Sequence, residues 1–414
     1  MSTMQPVRGT KDLFFKEQDK FTHIISIARH ISSLFGYTEA STPIFEFTDV
    51  FKRTLGDFSD IVNKEMYTFE DRKGQSITLR PEFTASVMRA IISNGLYNQL
   101  PLKLFSWGPL FRYERPQKGR MRQFHQINCE YIGSPKAITD VEVISLAYKL
   151  LKKLGLENKV ELEINSLGDS ESREIYISSL VEYYSKYKND LSEDSKLRFD
   201  RNPLRILDSK DDSDKKINIS APKIENYLNK TSKEFFEQVL AGLESLGISY
   251  NINHSMVRGL DYYNHTAFEF ITNDLGAQGT VLAGGRYDGL LKMMGGKDYP
   301  GVGFAAGVER LAELSEVDIS HNQVVSIIIS DHSFEGLALK LCSELRDQEI
   351  AVVIEENHNP SKAIKKALER KSSLAIYLDD RTSESLCFVK NLNNRVEEMV
   401  GFNNLANFIK SNEF

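Results

Sequence analysis

The hydrophobic pattern of this 414-residue chain changes rhythm near residues 316–322, and that change limits the folds open to it. After it, "QVVSIIIS", "LALKLCSELRDQ", "IAVVIEE", "NPSKAIKKALERK", "SLAIYLDD" and "SLCFVKNL" alternate strand-like and helix-like runs. That alternation argues for a separate βα unit of roughly 90 residues. A chain of this length exceeds one ordinary hydrophobic core, so two or three domains are expected. The division predicted here is a first domain over residues 1–320 and a second over 323–414.

Before the break the pattern is mixed. Phe21, Ile24, Ile25, Ala28, Ile31, Leu34 and Phe35 recur at helical spacing, which predicts a helix over about 18–35 stopped by Gly36. "MYTFED" and "SITLR" flank the turn residues Arg72, Lys73 and Gly74 and predict a hairpin. "TASVMRAIISNG" reads as a helix closed by Gly95. "LKLFSWGPLFRYE" and "RQFHQINCEYIG" read as a strand and its returning partner. "TDVEVISLAYKLLKKLG" predicts an amphipathic helix capped by Thr139 or Asp140 and stopped by Gly155. Between about 170 and 250 the composition turns polar and helical, which predicts a helical insertion within the first domain. Strand patterns resume at "YNINHSMVRGLDYYNHTAFEFIT", and glycine-rich "GAQGTVLAGGRYDGLL" and "GVGFAAGVERL" follow.

Some functions are excluded early. No run of 18 or more apolar residues exists, so no membrane span is expected. "MSTMQPVRGTKDLFFKEQDK" lacks an apolar signal core, so a cytoplasmic protein is expected. Cys129, Cys342 and Cys387 share no motif spacing, which fits a reducing compartment and argues against a thiolate zinc site. The formal net charge of −6 decides little, because a local basic patch can bind polyanions on an acidic protein.

Such a patch exists. "FRYERPQKGRMRQFHQ" (residues 111–126) carries five Lys or Arg against one carboxylate. On a strand, Arg112 and Glu114 would point to one face, and Arg115, Lys118, Arg120 and Arg122 would line the following loop. This is either a solvated basic hairpin or a polyphosphate site, for which the planar guanidinium fork is suited. "TLRPEFTA" sets Arg80, Glu82 and Thr84 at strand-like spacing: a surface strand end, or a carboxylate and hydroxyl placed for an ammonium group. "VRGLDYYNHTAFEF" puts Arg258 ahead of Tyr262 and Tyr263: a tyrosine-rich core strand, or a site for an anion beside an aromatic-sized group. The glycines of "AGGRYDGLL" and "GVGFAAGVERL" mark either tight packing or close approach of a ligand, with Arg310 at an expected strand-to-helix junction. None of these fits a GxxxxGK[ST] or GxGxxG phosphate loop.

Taken in order, these segments resemble class II aminoacyl-tRNA synthetases, and closely the histidyl-tRNA synthetases. "FRYERPQKGRMRQFHQ" is similar to motif 2 of that class and "GVGFAAGVERL" to motif 3. "VRGLDYYNHTAFEF" and "AGGRYDGLL" resemble the two histidine-specific peptides, and "VRGTKDL" resembles the N-terminal signature. The resemblance spans nearly the whole chain, and the βα unit resembles the family's anticodon-binding domain. The usual bacterial RPEGTA is here RPEFTA, with Phe83 in place of Gly.

The resemblance implies an α+β class II catalytic domain, an antiparallel sheet flanked by helices with a helical insertion, plus a C-terminal α/β anticodon-binding domain. It implies a ligase that joins L-histidine to tRNA(His) with ATP and Mg2+, without zinc, as a homodimer built across about 35–53. Arg112 and Arg258 would be catalytic, and Arg112, Glu114, Arg120, Phe124 and Arg310 would bind ATP. Glu82, Thr84 and Gln126 would hold the ammonium, and Glu130 and Tyr263, with Tyr262 nearby, would read the imidazole. In the second domain Lys362, Lys365, Lys366 and Arg370 share a helical face: a phosphate contact or a solvated face. Competing readings are a non-catalytic regulatory subunit of ATP phosphoribosyltransferase, an RNA-binding adaptor, and a class II synthetase of other specificity. The first departs from the catalytic signatures and typically lacks an anticodon-type module, both of which this chain has. The complete histidine peptides weigh against the other two.

Overall fold

The computed structural model of the chain describes residues 4–56, 61–117, 119–258, 262–276, 279–316 and 324–411. They form two compact units, Met1–Val317 and Asp318–Phe414. The junction expected at 320–323 lies outside the described residues.

The first unit opens with α1 (Phe15–Leu34), which buries Phe21, Ile24, Ile25, Ala28 and Ile31, the stripe its periodicity predicts. β1 (Thr38–Glu39), β2 (Phe45–Phe47) and α2 (Thr48–Leu55) follow. The predicted hairpin forms as β3 (Tyr67–Glu70) and β4 (Ser76–Leu79), and β2 completes a three-stranded sheet in the order β2-β4-β3. Its turn is closed by the Asp71 carboxylate, which accepts from the backbone N–H of Lys73 and Gln75, both at 2.8 Å. After α3 (Thr84–Ser93) come β5 (Leu102–Phe111) and β6 (Gln123–Ile132), a ten-residue antiparallel pair. The remaining elements are α4 (Ala137–Lys153), β7 (Glu161–Ser166), α5 (Ser170–Ser185), α6 (Glu193–Arg201), α7 (Asp212–Asn218) and α8 (Lys230–Ser245). Then follow β8 (Asn251–Ile252), β9 (Asn264–Ile271), β10 (Thr280–Arg286), α9 (Leu290–Met293), β11 (Gly301–Gly307) and α10 (Val308–Leu314).

Eight strands build one sheet in the order β1-β5-β6-β11-β10-β9-β7-β8. Its inner pairings are antiparallel and its two edge pairings, β1 with β5 and β7 with β8, are parallel. One face is covered by α1, α4, α8 and α10, whose Ile24, Ile144, Val239 and Leu311 share a core with Ile127, Cys129, Phe268 and Phe304 of the strands. Strand alternation then sends Gln126, Asn128 and Glu130 of β6 to the opposite face.

The predicted cap of α4 is corrected. The helix starts at Ala137 after Lys136, with no side-chain cap. Thr139 instead shares a hydrogen bond with Ser134 at 2.6 Å. Asp140 is fully buried and pairs with the equally buried Arg286 of β10, whose Nε donates to it at 3.1–3.2 Å. Asp140 is the fourth residue of the helix, past the position from which a side chain caps the first turn, and its carboxylate faces the guanidinium instead.

The second unit holds β12 (Val325–Ile329), α11 (Glu335–Asp347), β13 (Val352–Glu355), α12 (Pro360–Glu369), β14 (Leu374–Leu378), β15 (Leu386–Asn391), β16 (Glu397–Gly401) and α13 (Leu405–Ser411). The sheet order is β13-β12-β14-β15-β16, parallel among the first three strands and antiparallel beyond. α11 and α13 cover one face through Leu341, Leu345, Leu405 and Ile409, and Ala363 of α12 packs on the other against Ile328 and Ala375. This is a core of its own. Its last strand and helix, β16 and α13, were not read from the sequence. Lys362, Lys365, Lys366 and Arg370 are all exposed, and Arg370 lies 3.4 Å from the buried Glu355 carboxylate.

Candidate active site

On the sheet face away from the four helices lies a cavity of about 460 Å3. It is lined by Glu82, Thr84, Arg112, Glu114, Arg120, Phe124, Gln126, Arg258, Tyr262, Tyr263 and Arg310. The structure thus brings together residues that lie up to 228 positions apart in the chain (Glu82 to Arg310). Glu130 joins them by hydrogen bond to Thr84.

One end of the cavity is cationic. Arg112 is not on the strand, as its spacing with Glu114 suggested: β5 ends at Phe111, and both residues lie on the loop beyond it. Arg112 Nε donates to Pro81 O at 2.9 Å, and its guanidinium lies 5.2 Å from the Phe124 ring centre. Arg120 Nη1 is 3.0 Å from Glu114 Oε2, in ion-pair range without hydrogen-bond geometry. Arg310, at the start of α10, donates through Nε to Gly119 O at 3.3 Å and through Nη1 to Thr280 O. Burial, then the neighbouring Arg120 and Arg112, lower the Arg310 pKa. Like charges crowded in this way are relieved by an anion among them. Of the loop's other cations, Arg115 is exposed and Arg122 lies 3.9 Å from the Tyr113 ring centre, while Lys118 lies outside the described residues.

The other end is a pocket of carboxylates and phenols. Glu82 and Thr84 do not share a strand face. Thr84 begins α3, and the Glu82 carboxylate accepts from the backbone N–H of Thr84 at 2.6 Å and of Ala85 at 2.8 Å. Those bonds oppose the burial that raises the Glu82 pKa. Phe83 has φ −93° and ψ −37°, ordinary helical values that need no glycine. Arg80 is a framework residue, not a site residue: it is buried, stacks 4.3 Å from the Phe83 ring centre, and donates to Thr42 O at 2.8 Å and Pro109 O at 3.1 Å.

Glu130 sits at the centre of this pocket. Its Oε1 accepts from Thr84 Oγ1 at 2.5 Å and Asn128 Nδ2 at 3.0 Å, and Oε2 accepts from the Tyr287 hydroxyl. Complete burial pushes its pKa up to about 7 against these bonds, with a further rise from the Glu82 charge. The rings of Tyr262 and Tyr263 lie 4.7 Å apart, and Tyr287 meets them edge-on at 5.8 and 6.4 Å. Two glycines make room. A Cβ on Gly303, opposite Glu130 in register, would overlap the Glu130 carboxylate. A Cβ on Gly285 would lie 2.9 Å from Tyr263 Cδ1 and 2.5 Å from Thr266 O.

Between the two ends stands Arg258, which is 12 % exposed. It pairs with Glu269 of β9 and lies 5.1 Å from the Tyr263 ring centre, while its buried Nε has no hydrogen-bond partner. Burial disfavours its charge, but Glu269 and Tyr263 more than offset this and its pKa is raised. The expected turn at Gly259 lies outside the described residues.

The sequence reading missed Asn128, Tyr287 and Glu269. Asn128 was legible as the residue two before Glu130 on one strand face; Tyr287 and Glu269 both lay within quoted peptides, but nothing local marked either as a partner. The lining carboxylates offer oxygen donors of the kind hard cations take. In the second unit, His332, Glu335 and His358 bring ligand atoms within 4.8 Å of one another near the surface, where Glu335 already bonds His332 Nδ1 at 2.7 Å.

Comparison with known proteins agrees with this geometry. Residues 9–168 and 205–311 match the histidyl-tRNA synthetase family model, and 323–412 match an anticodon-binding domain. The chain is 52 % identical over 403 residues to a histidine–tRNA ligase of Wolbachia pipientis wMel, covering 97 % of this chain and 98 % of that one. It is 50 % identical over 411 residues to a histidine–tRNA ligase of Rhodospirillum rubrum, covering 99 % of each. The crystal structure of apo S. aureus histidyl-tRNA synthetase superposes with a TM-score of 0.83 at 32 % identity, covering 99 % of this chain and 100 % of that one.

Proposed function

The chain belongs to the histidyl-tRNA synthetase family, and on that premise we propose how its cavity performs the ligase reaction. The protein is a histidine–tRNA ligase: it forms histidyl-adenylate and pyrophosphate from L-histidine and ATP, then transfers histidine to the 3′ end of tRNA(His). The observation that carries the mechanism is the division of one cavity into a cationic end, a carboxylate–phenol end and a buried guanidinium between them.

In this reading the histidine carboxylate attacks the α-phosphorus and pyrophosphate leaves. Arg112 contacts the α-phosphate, Arg120 the departing phosphates, and Arg310 the γ-phosphate beside the adenine, with Glu114 and Phe124 completing the ATP site. Arg258 bridges the attacking carboxylate and the α-phosphate, and the Arg258 pair with Glu269 holds it in place beforehand. Mg2+ enters with the nucleotide, and the buried Glu114 Oε2, which makes no hydrogen bond, suits a hard cation. Glu82, Thr84 and Gln126 hold the ammonium. Neutral imidazole carries one donor and one acceptor nitrogen, and Glu130 with Tyr263 satisfies both, Tyr262 packing alongside. An apolar amino acid would gain no hydrogen bond from these groups, so histidine is favoured over it. No observation favours the regulatory-subunit reading over this one.

The second unit binds the tRNA anticodon region. The protein works in the cytoplasm as a homodimer. Support for the dimer comes from Phe45, Phe47 and Phe69, which are 56 %, 57 % and 49 % exposed on the three-stranded sheet. Phe47 and Phe69 flank Ile77 in register, giving a continuous apolar face of the kind a partner covers. The test is ATP–pyrophosphate exchange with each of the twenty amino acids. Exchange with histidine alone is expected; equal exchange with another amino acid, or none with histidine, overturns the assignment.

A further inference from the structure

We propose that the helical insertion sets the histidine site through two positioning residues, Arg173 and Arg205. This rests on the assignment of the cavity to histidine activation. Arg173 projects from α5, and its Nη1 donates to the backbone carbonyl of Tyr263 at 2.9 Å. Arg205 lies on the short 3-10 turn Pro203–Ile206, and its Nη1 donates to the backbone carbonyl of Arg258 at 3.1 Å. The two carbonyls belong to the residue carrying the bridging guanidinium and to the one carrying the imidazole-reading phenol, five positions apart on either side of residues 259–261, which lie outside the described residues. Both are held by cationic donors from the insertion, and such bonds are stronger than neutral ones.

The hydrophobic packing points the same way. Val257, immediately before Arg258, packs against the insertion's own core of Tyr176, Leu204 and Ile206. Tyr262 and Tyr263 belong instead to the catalytic cluster with Tyr287. The peptide therefore straddles two cores, and its position depends on how the insertion is seated. The clamp residues are themselves fixed. Arg198 Nη1 donates to Arg205 O at 3.1 Å, and α5 is anchored by its Asp169 cap, which accepts from Ser172 N at 2.9 Å and Asn229 Nδ2 at 2.7 Å. A small cavity behind Tyr263, lined by Arg173, Arg205, Val257 and Arg258, marks the seam.

The insertion thereby controls histidine affinity more than ATP affinity, because Tyr263 contacts only the amino acid, while Arg258 contacts both substrates and ATP keeps its other arginines. The experiment compares Arg173→Ala, Arg205→Ala and Arg205→Lys with the parent in pyrophosphate exchange. The alanine variants are expected to raise the histidine KM on the order of tenfold, the loss of one charged hydrogen bond, with the ATP KM within about twofold. Lysine at 205 restores part of the loss, since it keeps a charged donor without the fork. Arg205 also borders the main cavity, so Arg173→Ala is the cleaner arm. Unchanged histidine KM in both alanine variants, or equal rises in both KM values with a lowered Tm, overturns the proposal. Hydrogen exchange in the ligand-free protein provides a readout independent of activity. The peptide carrying Arg258, Tyr262 and Tyr263 should exchange faster in the alanine variants while β6 does not, and equal protection overturns the clamp. A parent that fails to exchange pyrophosphate with histidine sinks the assigned function, whereas the hydrogen-exchange arm still judges the clamp.

Discussion

Glu130 is the residue whose acid–base behaviour its surroundings change in the most useful way. A carboxyl of ordinary value 4.5 is pushed by burial to about 7. Between those values the folded protein keeps a proton that the unfolded chain has lost, so stability from this group is complete below 4.5 and declines as pH rises through about 7. The Tm of the parent relative to Glu130→Gln should therefore fall between pH 4.5 and about 7 and level off above. A difference in Tm that does not vary with pH would mean that Glu130 titrates normally. Arg258, buried beside Glu269 in the cavity, is the residue proposed to face the charge that develops in the reaction. Removing one preorganised donor of this kind typically costs on the order of 10²–10³ in rate, about 3–4 kcal/mol. Arg258→Ala should lose at least that in single-turnover adenylate formation while still transferring preformed adenylate to tRNA. A loss of only about threefold would make Arg258 a framework residue. Both residues were legible from the sequence, as was Asn128 beside Glu130, but their pairings with Tyr287 and Glu269 were not. Asn128 reaches Glu130 along the same strand, whereas Tyr287 and Glu269 meet Glu130 and Arg258 only because the sheet brings distant segments together.

The site is assembled element by element, and the sheet does most of the assembly. β6 is the central example: its alternation buries Ile127 and Cys129 under the helices, turns Gln126 and Asn128 into the cavity, and sets Glu130 on the same face behind Thr84. Period two was visible in the sequence, so that much was predictable. What the spacing of Glu82 and Thr84 could not reveal is that a helix begins between them, with Glu82 capping it. Nor could it reveal that β5 stops one residue before Arg112, because strand ends depend on what lies beside them. The α4 cap failed for a related reason. Asp140 is claimed by Arg286, a residue 146 positions away in sequence. That pair ties the helix layer to β10 in full burial, and breaking it strands a guanidinium in low dielectric. Asp140→Ala is expected to cost about 3 kcal/mol, the lower end of the usual range because Asp288 also contacts Arg286 at 3.1 Å. Urea unfolding of the first unit measures it, and a cost under about 1 kcal/mol would mean that the remaining partners suffice.

For the molecule as a whole, two separate cores divide the labour. Every residue assigned to ATP and histidine lies in the first unit, and the second closes its own three-layer core. A chain ending at 322 should keep histidine-dependent pyrophosphate exchange. Its tRNA charging should fall on the order of tenfold or more, the equivalent of one well-buried interface contact. Charging at the parent rate by a folded truncation would remove the anticodon role of the second unit. The β3–β4 hairpin and the long β5–β6 pair could be read from the sequence, because they follow from local periodicity and turn chemistry within a few residues. The order of motif-like peptides carried the family resemblance and, with it, the list of site residues. Local pattern carries no information about which distant segments become neighbours. Only the tertiary structure decided that Gly303 must be bare opposite Glu130, that Asp140 serves Arg286, and that Arg173 and Arg205 reach the Arg258 peptide. Each of these is a contact across the fold, fixed by sheet order and by burial that requires every polar group to find its partners within the protein.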